Sequence, residues 1–176
     1  MQKFAKFCFI SFSIIFISTY SFANNKTAYI DVDLILSESN PSKFLFLQLK
    51  DIEEQKLKKL KSDELKLKEE EKKILSSKNI ISNEEYVKIV NNFKKKVDNF
   101  KNTKNKDIEN LKKIRNAEII RFFKLVNPII EKIMEENSIE ILFEKKNIFI
   151  AKSNYDITQI VIENINKNIK NFKIQE

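Results

Sequence analysis

Between Ser42 and about Asn127 the apolar residues recur at helical steps, with lysine, glutamate and asparagine between them. Leu45, Leu49, Ile52, Leu60, Leu67 and Ile74 are spaced by three, four, seven or eight residues, a heptad-like seam with gaps. This spacing predicts a helix from Pro41 to about Lys78, with Asn40 as N-cap and Pro41 as first helical residue. From Lys56 to Lys73 apolar residues thin out, and pairs such as Glu64/Lys68 and Glu69/Lys73 offer i,i+4 support instead. Asn79 to Asn83 reads as a turn, and Ser82 with Glu85 fits a capping box. A second helix carries Tyr86, Val90, Phe93, Val97 and Phe100, weakens through Lys101 to Lys106, and resumes at Ile108, Leu111, Ile114, Ile119, Phe122 and Leu125. Pro128 has no N–H for the Lys124 carbonyl, which predicts a kink or break. Each helix would be roughly 50–60 Å long, and the short turn makes them antiparallel. A hairpin with so sparse a seam buries little, so its distal half, Leu75 to Phe100, is expected to move as a flexible tip.

The flanks change texture. Thr27 to Val32 reads as a strand, and Ile139 to Glu144 as another, followed by a turn at Lys145–Asn147 and a return strand Ile148 to Ala151. Asp31 and Asp33 could form an acidic or metal-binding pair, but capping of a short helix from Leu34 to Ser39 is the favoured reading. Asp156-Ile157-Thr158-Gln159 fits an N-cap with Gln at N3, opening a last helix with Ile157, Ile160, Val161, Ile165 and Ile169 on one face. The result is an α+β, predominantly helical fold. A long antiparallel hairpin (42–127) projects from a small strand-containing body (24–41 and 128–176), all within one domain. Ile30, Val32, Ile141, Phe143, Ile148 and Ile150 are the candidates for burial there, inside one chain or between subunits.

At the start of the chain, Lys3 and Lys6 precede an apolar run from Phe7 to Phe16, and Ser21-Phe22-Ala23 places small residues where a signal peptidase reads. Cleavage is expected between Ala23 and Asn24, since the run is too short and interrupted to span a bilayer comfortably. The lone cysteine, Cys8, lies within this segment and away from the cut. The mature chain, 24–176, therefore has no cysteine, and the whole chain has no histidine and no glycine. Disulfides, His/Cys zinc sites, Ser-His and Cys-His nucleophile pairs and Gly-rich phosphate loops are excluded. The expectation is a non-enzyme with no cofactor.

The net charge is +8; without Lys3 and Lys6 the mature form keeps 31 basic against 25 acidic residues, net +6. Such a balance suits an anionic partner, although base composition of the genome alone can produce it. Lys94, Lys95, Lys96, Lys101, Lys104 and Lys106 are the candidate basic face, able to draw acidic clients or an anionic membrane surface, or simply solvated.

Taken in order, AYIDVDLIL, the charged hairpin, the proline-containing return helix, IEILFEKKNIFIAKS and DITQIVIENI resemble the Skp/OmpH family of periplasmic chaperones over essentially the whole mature chain. The last hairpin and Asp156-Ile157-Thr158 carry the likeness most sharply. The family usually has glycine before the second strand, where Asn137-Ser138 stands here, which leaves the local turn geometry open but not the fold. The resemblance implies a homotrimer with hairpins hanging as tentacles around a cavity. It implies an ATP-independent periplasmic holdase for unfolded outer-membrane β-barrel proteins. Tyr86, Phe93 and Phe100 would pack the tip and offer part of their surface to a client. Two alternatives are an envelope coiled-coil spacer, which should show a dense unbroken seam, and, more weakly, a basic nucleic-acid-binding protein, against which stand the signal segment and the interleaved acids.

Overall fold

The computed structural model describes residues 26–175; the Ala23–Asn24 junction lies outside them. The elements are β1 (Lys26–Ile30), α1 (Val32–Glu38), α2 (Asn40–Ser77), α3 (Asn83–Glu136), β2 (Ile139–Glu144) and α4 (Thr158–Asn168), with 3-10 turns at Lys145–Asn147 and Ser153–Tyr155. α2 and α3 form the expected hairpin, and its base is built into a core with β1, α1, β2 and α4. No described helix is long and apolar enough to cross a membrane.

Local chemistry sets the boundaries. Asp31 caps α1: its Oδ1 accepts from the Leu34 N–H at 3.0 Å, and Lys145 Nζ lies 2.8 Å from Oδ2. The Lys145 ammonium first, then the Leu34 N–H, hold this carboxyl below the usual carboxylate range. The N-cap of α2 is Ser39, not Asn40, with Pro41 in the first turn. Asn40 instead donates its N–H to Asn166 Oδ1 at 2.7 Å, tying the root of the hairpin to α4. At the turn, the Ser82 hydroxyl accepts from the Glu85 N–H at 3.3 Å, as the capping-box reading expects.

Three further expectations are corrected. First, Pro128 does not break α3, which runs through it as one helix of 54 residues. The proline forfeits one backbone bond and costs roughly 3 kcal/mol. Phe122, Val126, Ile130 and Ile133, on either side of it, are buried in the core, each contributing roughly 1.5–3 kcal/mol, so packing holds the helix together. Second, Ile148–Ala151 is not a strand. β1 and β2 pair in parallel, from Lys26↔Ile139 to Ile30↔Glu144. After β2 the chain passes through a 3-10 turn at Lys145–Asn147, not the tight turn that would register a return strand. Beyond the β1–β2 ladder, the one further bridge among the described residues is Tyr29↔Asp156, so Ile148–Ala151 has no neighbour to pair with. Third, Gln159 does not close a cap on α4 but donates to Glu163 at 3.2 Å. The N-cap is Ile157, not Asp156, and makes no side-chain cap bond; Asp156, one residue before it, accepts at Oδ1 from the Thr158 N–H at 2.9 Å. Thr158 Oγ1 in turn accepts from the Asp31 N–H at 2.8 Å, joining the starts of α1 and α4.

The turn before β2 keeps a backbone that suits glycine although serine stands there. Ser138 sits at φ 54°, a left-handed conformation that costs a residue with a Cβ roughly 1–2 kcal/mol. Asn137 supports it by donating Nδ2 to the Ile133 carbonyl at 2.8 Å.

The core lies at one end of the molecule. It joins Ala28 and Ile30 of β1, Ile35 of α1, Leu45 and Leu49 of α2, Phe122 to Ile133 of α3, and Val161, Ile162 and Ile165 of α4. Past Leu49 on α2 and before Glu118 on α3, the only fully buried side chain of the described hairpin is Ile74.

Candidate functional site

The hairpin seam keeps its register where apolar residues thin out. The least exposed positions of α2 beyond the core are Ile52, Lys56, Leu60, Asp63, Leu67, Glu70, Ile74 and Ser77, at steps of three and four. On α3 they are Tyr86, Val90, Phe93, Val97, Phe100, Asp107, Leu111 and Ile114. Geometrically the heptad seam is intact across Lys56–Lys73; chemically it is not. Lys56 Nζ pairs with Asp107 Oδ1 across the helices at 2.8 Å, and Lys96 Nζ with Glu70 Oε1 at 2.6 Å. Half-exposed pairs of this kind are worth at most about 1 kcal/mol, less than the buried leucines a coiled coil would place there. Glu64 and Lys68 lie 2.8 Å apart, and chiefly through their hydrogen bond the Glu64 carboxyl is held below, and the Lys68 ammonium above, its usual range.

Apolar residues left out of the seam stay open to solvent. Leu57, Leu65 and Leu75 of α2 and Val87 and Ile108 of α3 are about half exposed, and Ile80 in the turn is 81% exposed. Leu57, Leu60, Ile108 and Leu111 line a groove of about 220 Å³ on one flank of the hairpin, with Lys56, Lys112 and Arg115 on its rim. A second groove, of about 450 Å³, continues past Leu57 and Leu60 to Leu65 and Phe100 with Lys61, Lys68 and Lys104 beside it. Tyr86, Phe93 and Phe100 are each half-buried in the seam. The exposed tip residues Leu75, Ile80 and Val87 were not singled out by periodicity, because a turn residue and off-seam residues belong to no stripe.

The six lysines expected to make one basic face do not share a face. All are exposed, but successive helical residues step about 100° around the axis, so Lys94, Lys95 and Lys96 point in three directions. Lys96 is engaged by Glu70, and Lys104 falls in line with the seam. They form a girdle of charge.

On the body, Ile30 is buried and Val32 packs beside the core. Ile141 and Phe143 face outward from β2, about 45% exposed, and Ile150 is 85% exposed with Phe149 fully so; Ile148 is half-buried. Phe143, Ile148 and Ile150 line a depression of about 390 Å³ with Thr27, Tyr29 and Tyr155.

A feature absent from the sequence reading crosses the hairpin's root. After α4, residues 169–175 run as an extended strap over the N-terminal part of α2 and the C-terminal third of α3. The Gln48 side chain meets it with both amide atoms: Nε2 donates to the Phe172 carbonyl at 2.9 Å and Oε1 accepts from the Ile174 N–H at 3.2 Å. The Phe172 ring is buried against Phe122, edge-on at 5.7 Å, with the Arg121 guanidinium 4.0 Å from its centroid. Arg121 also donates to the Lys173 carbonyl and, from Nε and Nη2, to Glu118 Oε2 at 2.8 and 2.6 Å. Glu118 Oε1 accepts the Gln175 N–H at 3.4 Å.

Comparison with known proteins agrees with this architecture. The family model described as outer membrane protein (OmpH-like) matches residues 26–165. Among solved structures, one from Caulobacter crescentus, described as a proposed outer membrane chaperone (OmpH-like), is similar with a TM-score of 0.79 at 16% identity, over 88% of this chain and 91% of that one. No curated protein matches. At that identity the structural likeness speaks to the fold, while the family match spans most of the chain. The chain therefore belongs to the OmpH-like family, the Skp/OmpH chaperone family whose sequence features it carries.

Proposed function

We propose that this protein is an ATP-independent periplasmic holdase that binds unfolded outer-membrane β-barrel proteins and keeps them from aggregating, without enzymatic activity. The observation that carries the reading is the hairpin itself: a long arm with a polar-filled seam, whose off-seam leucines and isoleucines stay open among lysines along its length. Such a surface gives many weak contacts and no single deep site. A client held this way keeps its mobility. Unequal burial supports a trimer: Ile141, Phe143, Phe149 and Ile150 leave the body an apolar face of the kind a second copy covers, and the unpaired stretch Ile148–Ala151 could pair there. A spacer is less well supported, because polar pairs occupy seam positions that a rigid coiled coil would fill with leucine.

The test is dilution of a denatured outer-membrane β-barrel protein into buffer, with light scattering followed in the presence of the mature chain. Suppression of scattering near one trimer per client, unchanged by ATP, is the expected result. Undiminished aggregation at a several-fold excess of chaperone would remove the reading.

A further inference from the structure

We propose that the cleft between Gln48 of α2 and Glu118–Phe122 of α3 is a peptide-binding site, occupied in cis by the strap, that accepts one extended aromatic-bearing segment of an unfolded protein. Two features of the strap's seat point to this. Gln48 presents one donor and one acceptor to the carbonyl of Phe172 and the N–H of Ile174, the pairing that a neighbouring strand would offer. Arg121 and Glu118 likewise take main-chain groups, the Lys173 carbonyl and the Gln175 N–H. The Phe172 ring is the one fully buried side chain of the strap; Ile169 and Ile174 pack part-buried against the core, while Lys170, Asn171, Lys173 and Gln175 are exposed. The cleft therefore reads backbone, one ring and flanking aliphatic side chains, and an extended segment with a phenylalanine or tyrosine among aliphatic residues meets those demands.

The strap also lies outside the family match. The family match ends at residue 165, so the whole strap lies beyond the stretch shared with the family model. Being tethered a few residues after α4, it occupies its cleft at an effective concentration of order millimolar. A free peptide of modest affinity does not evict it. A client already gripped along the hairpin reaches a comparable local concentration and can exchange with it. The strap thus acts as a built-in competitor that admits multiply held clients and rejects stray peptides. Only the identity of the client rests on the holdase reading; the cleft's ability to bind peptide does not.

The experiment uses a chain ending at Ile169, the full chain, and a fluorescent peptide of residues 169–176. By anisotropy, the shortened chain should bind the peptide with a dissociation constant below about 1 mM. The full chain should bind it at least tenfold more weakly, as should the shortened chain with a peptide in which serine replaces the phenylalanine. An unfolded β-barrel client should displace the peptide from the shortened chain. If the shortened chain does not fold by circular dichroism, full-length Phe172→Ser, which keeps the strap backbone and withdraws its ring, takes its place with the same expected results. A folded variant that binds no peptide, or binds both peptides equally, overturns the site. Peptide binding that no client displaces overturns the occupant. Failure of both variants to fold makes the strap a structural part and overturns the proposal. Peptide binding and displacement with no protection from aggregation would sink the holdase reading and leave the site standing.

Discussion

The two ends of α3 belong to different kinds of protein. Toward its C-terminus, Phe122, Val126, Ile130 and Ile133 enter a core shared by five elements and the strap. Toward its N-terminus the same helix touches only α2, and no side chain from Asn83 to Ala117 is fully buried. Backbone structure is continuous between them; what changes is how much apolar surface each turn removes from water. The comparison teaches that helix and rigidity are separate properties. Register can be kept by regular spacing while cohesion is set by what fills the seam.

The hardest blow to this contrast is a matched pair of truncations. Phe122→Ala should cost about 3–5 kcal/mol and lower the melting temperature sharply. Ile74→Ala, at the tip, should scarcely move the global melting temperature, because its region opens locally first. Equal losses in the two variants would mean that the arm and the body unfold as one unit.

Next in size is Ile141→Asp, on the outer face of the body. In a lone chain this half-exposed residue should tolerate the change, whereas in a trimer it places an unpaired charge at an interface at a cost of several kcal/mol. Mass in solution should fall from trimer to monomer. An unchanged mass and melting temperature would show that this face stays in water.

The seam can then be sharpened directly. Lys56→Leu with Asp107→Leu replaces a charge pair by an apolar contact at an intact heptad position and should stiffen the arm by about 1 kcal/mol. Amide exchange in 61–73 and 101–106 should slow toward that of β1 and β2, and protection of large clients should weaken. Unaltered protection by a stiffened arm would make a preformed cavity the better account. Comparable in size is Ser138→Gly, which relieves the left-handed serine and should stabilise the body by up to about 1 kcal/mol.

The smallest effect is the titration of Asp31. Its folded pKa is lowered, so its contribution is fully present above the ordinary aspartate value of about 3.9 and is lost as pH falls through the lower folded value. Below about pH 4, wild type should lose melting temperature relative to Asp31→Asn, by a margin that salt narrows because the Lys145 pair is exposed. A constant difference across that range would show that the pair contributes nothing.

The helices were legible because their spacing and caps are local: the steps from Leu45 to Ile74 and the Ser82/Glu85 cap need no knowledge of the rest of the chain. The sparse seam was legible too, but reading only apolar residues hid Lys56, Asp63, Glu70 and Asp107 as its members. The break expected at Pro128 did not form, because the local penalty is outweighed by the burial on either side of it. Ile148–Ala151 has strand composition, yet a strand is defined by its neighbour, and within one chain that neighbour is lacking. The strap left almost no trace, since a single phenylalanine among lysines and asparagines has no period. Gln48, Glu118 and Arg121 sit on helices far from it in sequence.

The parallel pairing of Lys26–Ile30 with Ile139–Glu144 fixes the order of events as the chain is made. β1 appears first and must wait more than a hundred residues for its partner, while α2 and α3 can meet as soon as both exist. Once folded antiparallel, they carry the two distant strands back to one place, so little entropy of loop closure remains when β2 arrives. The arm that seems to hang from the body is, in assembly, the scaffold that brings the body's two halves together.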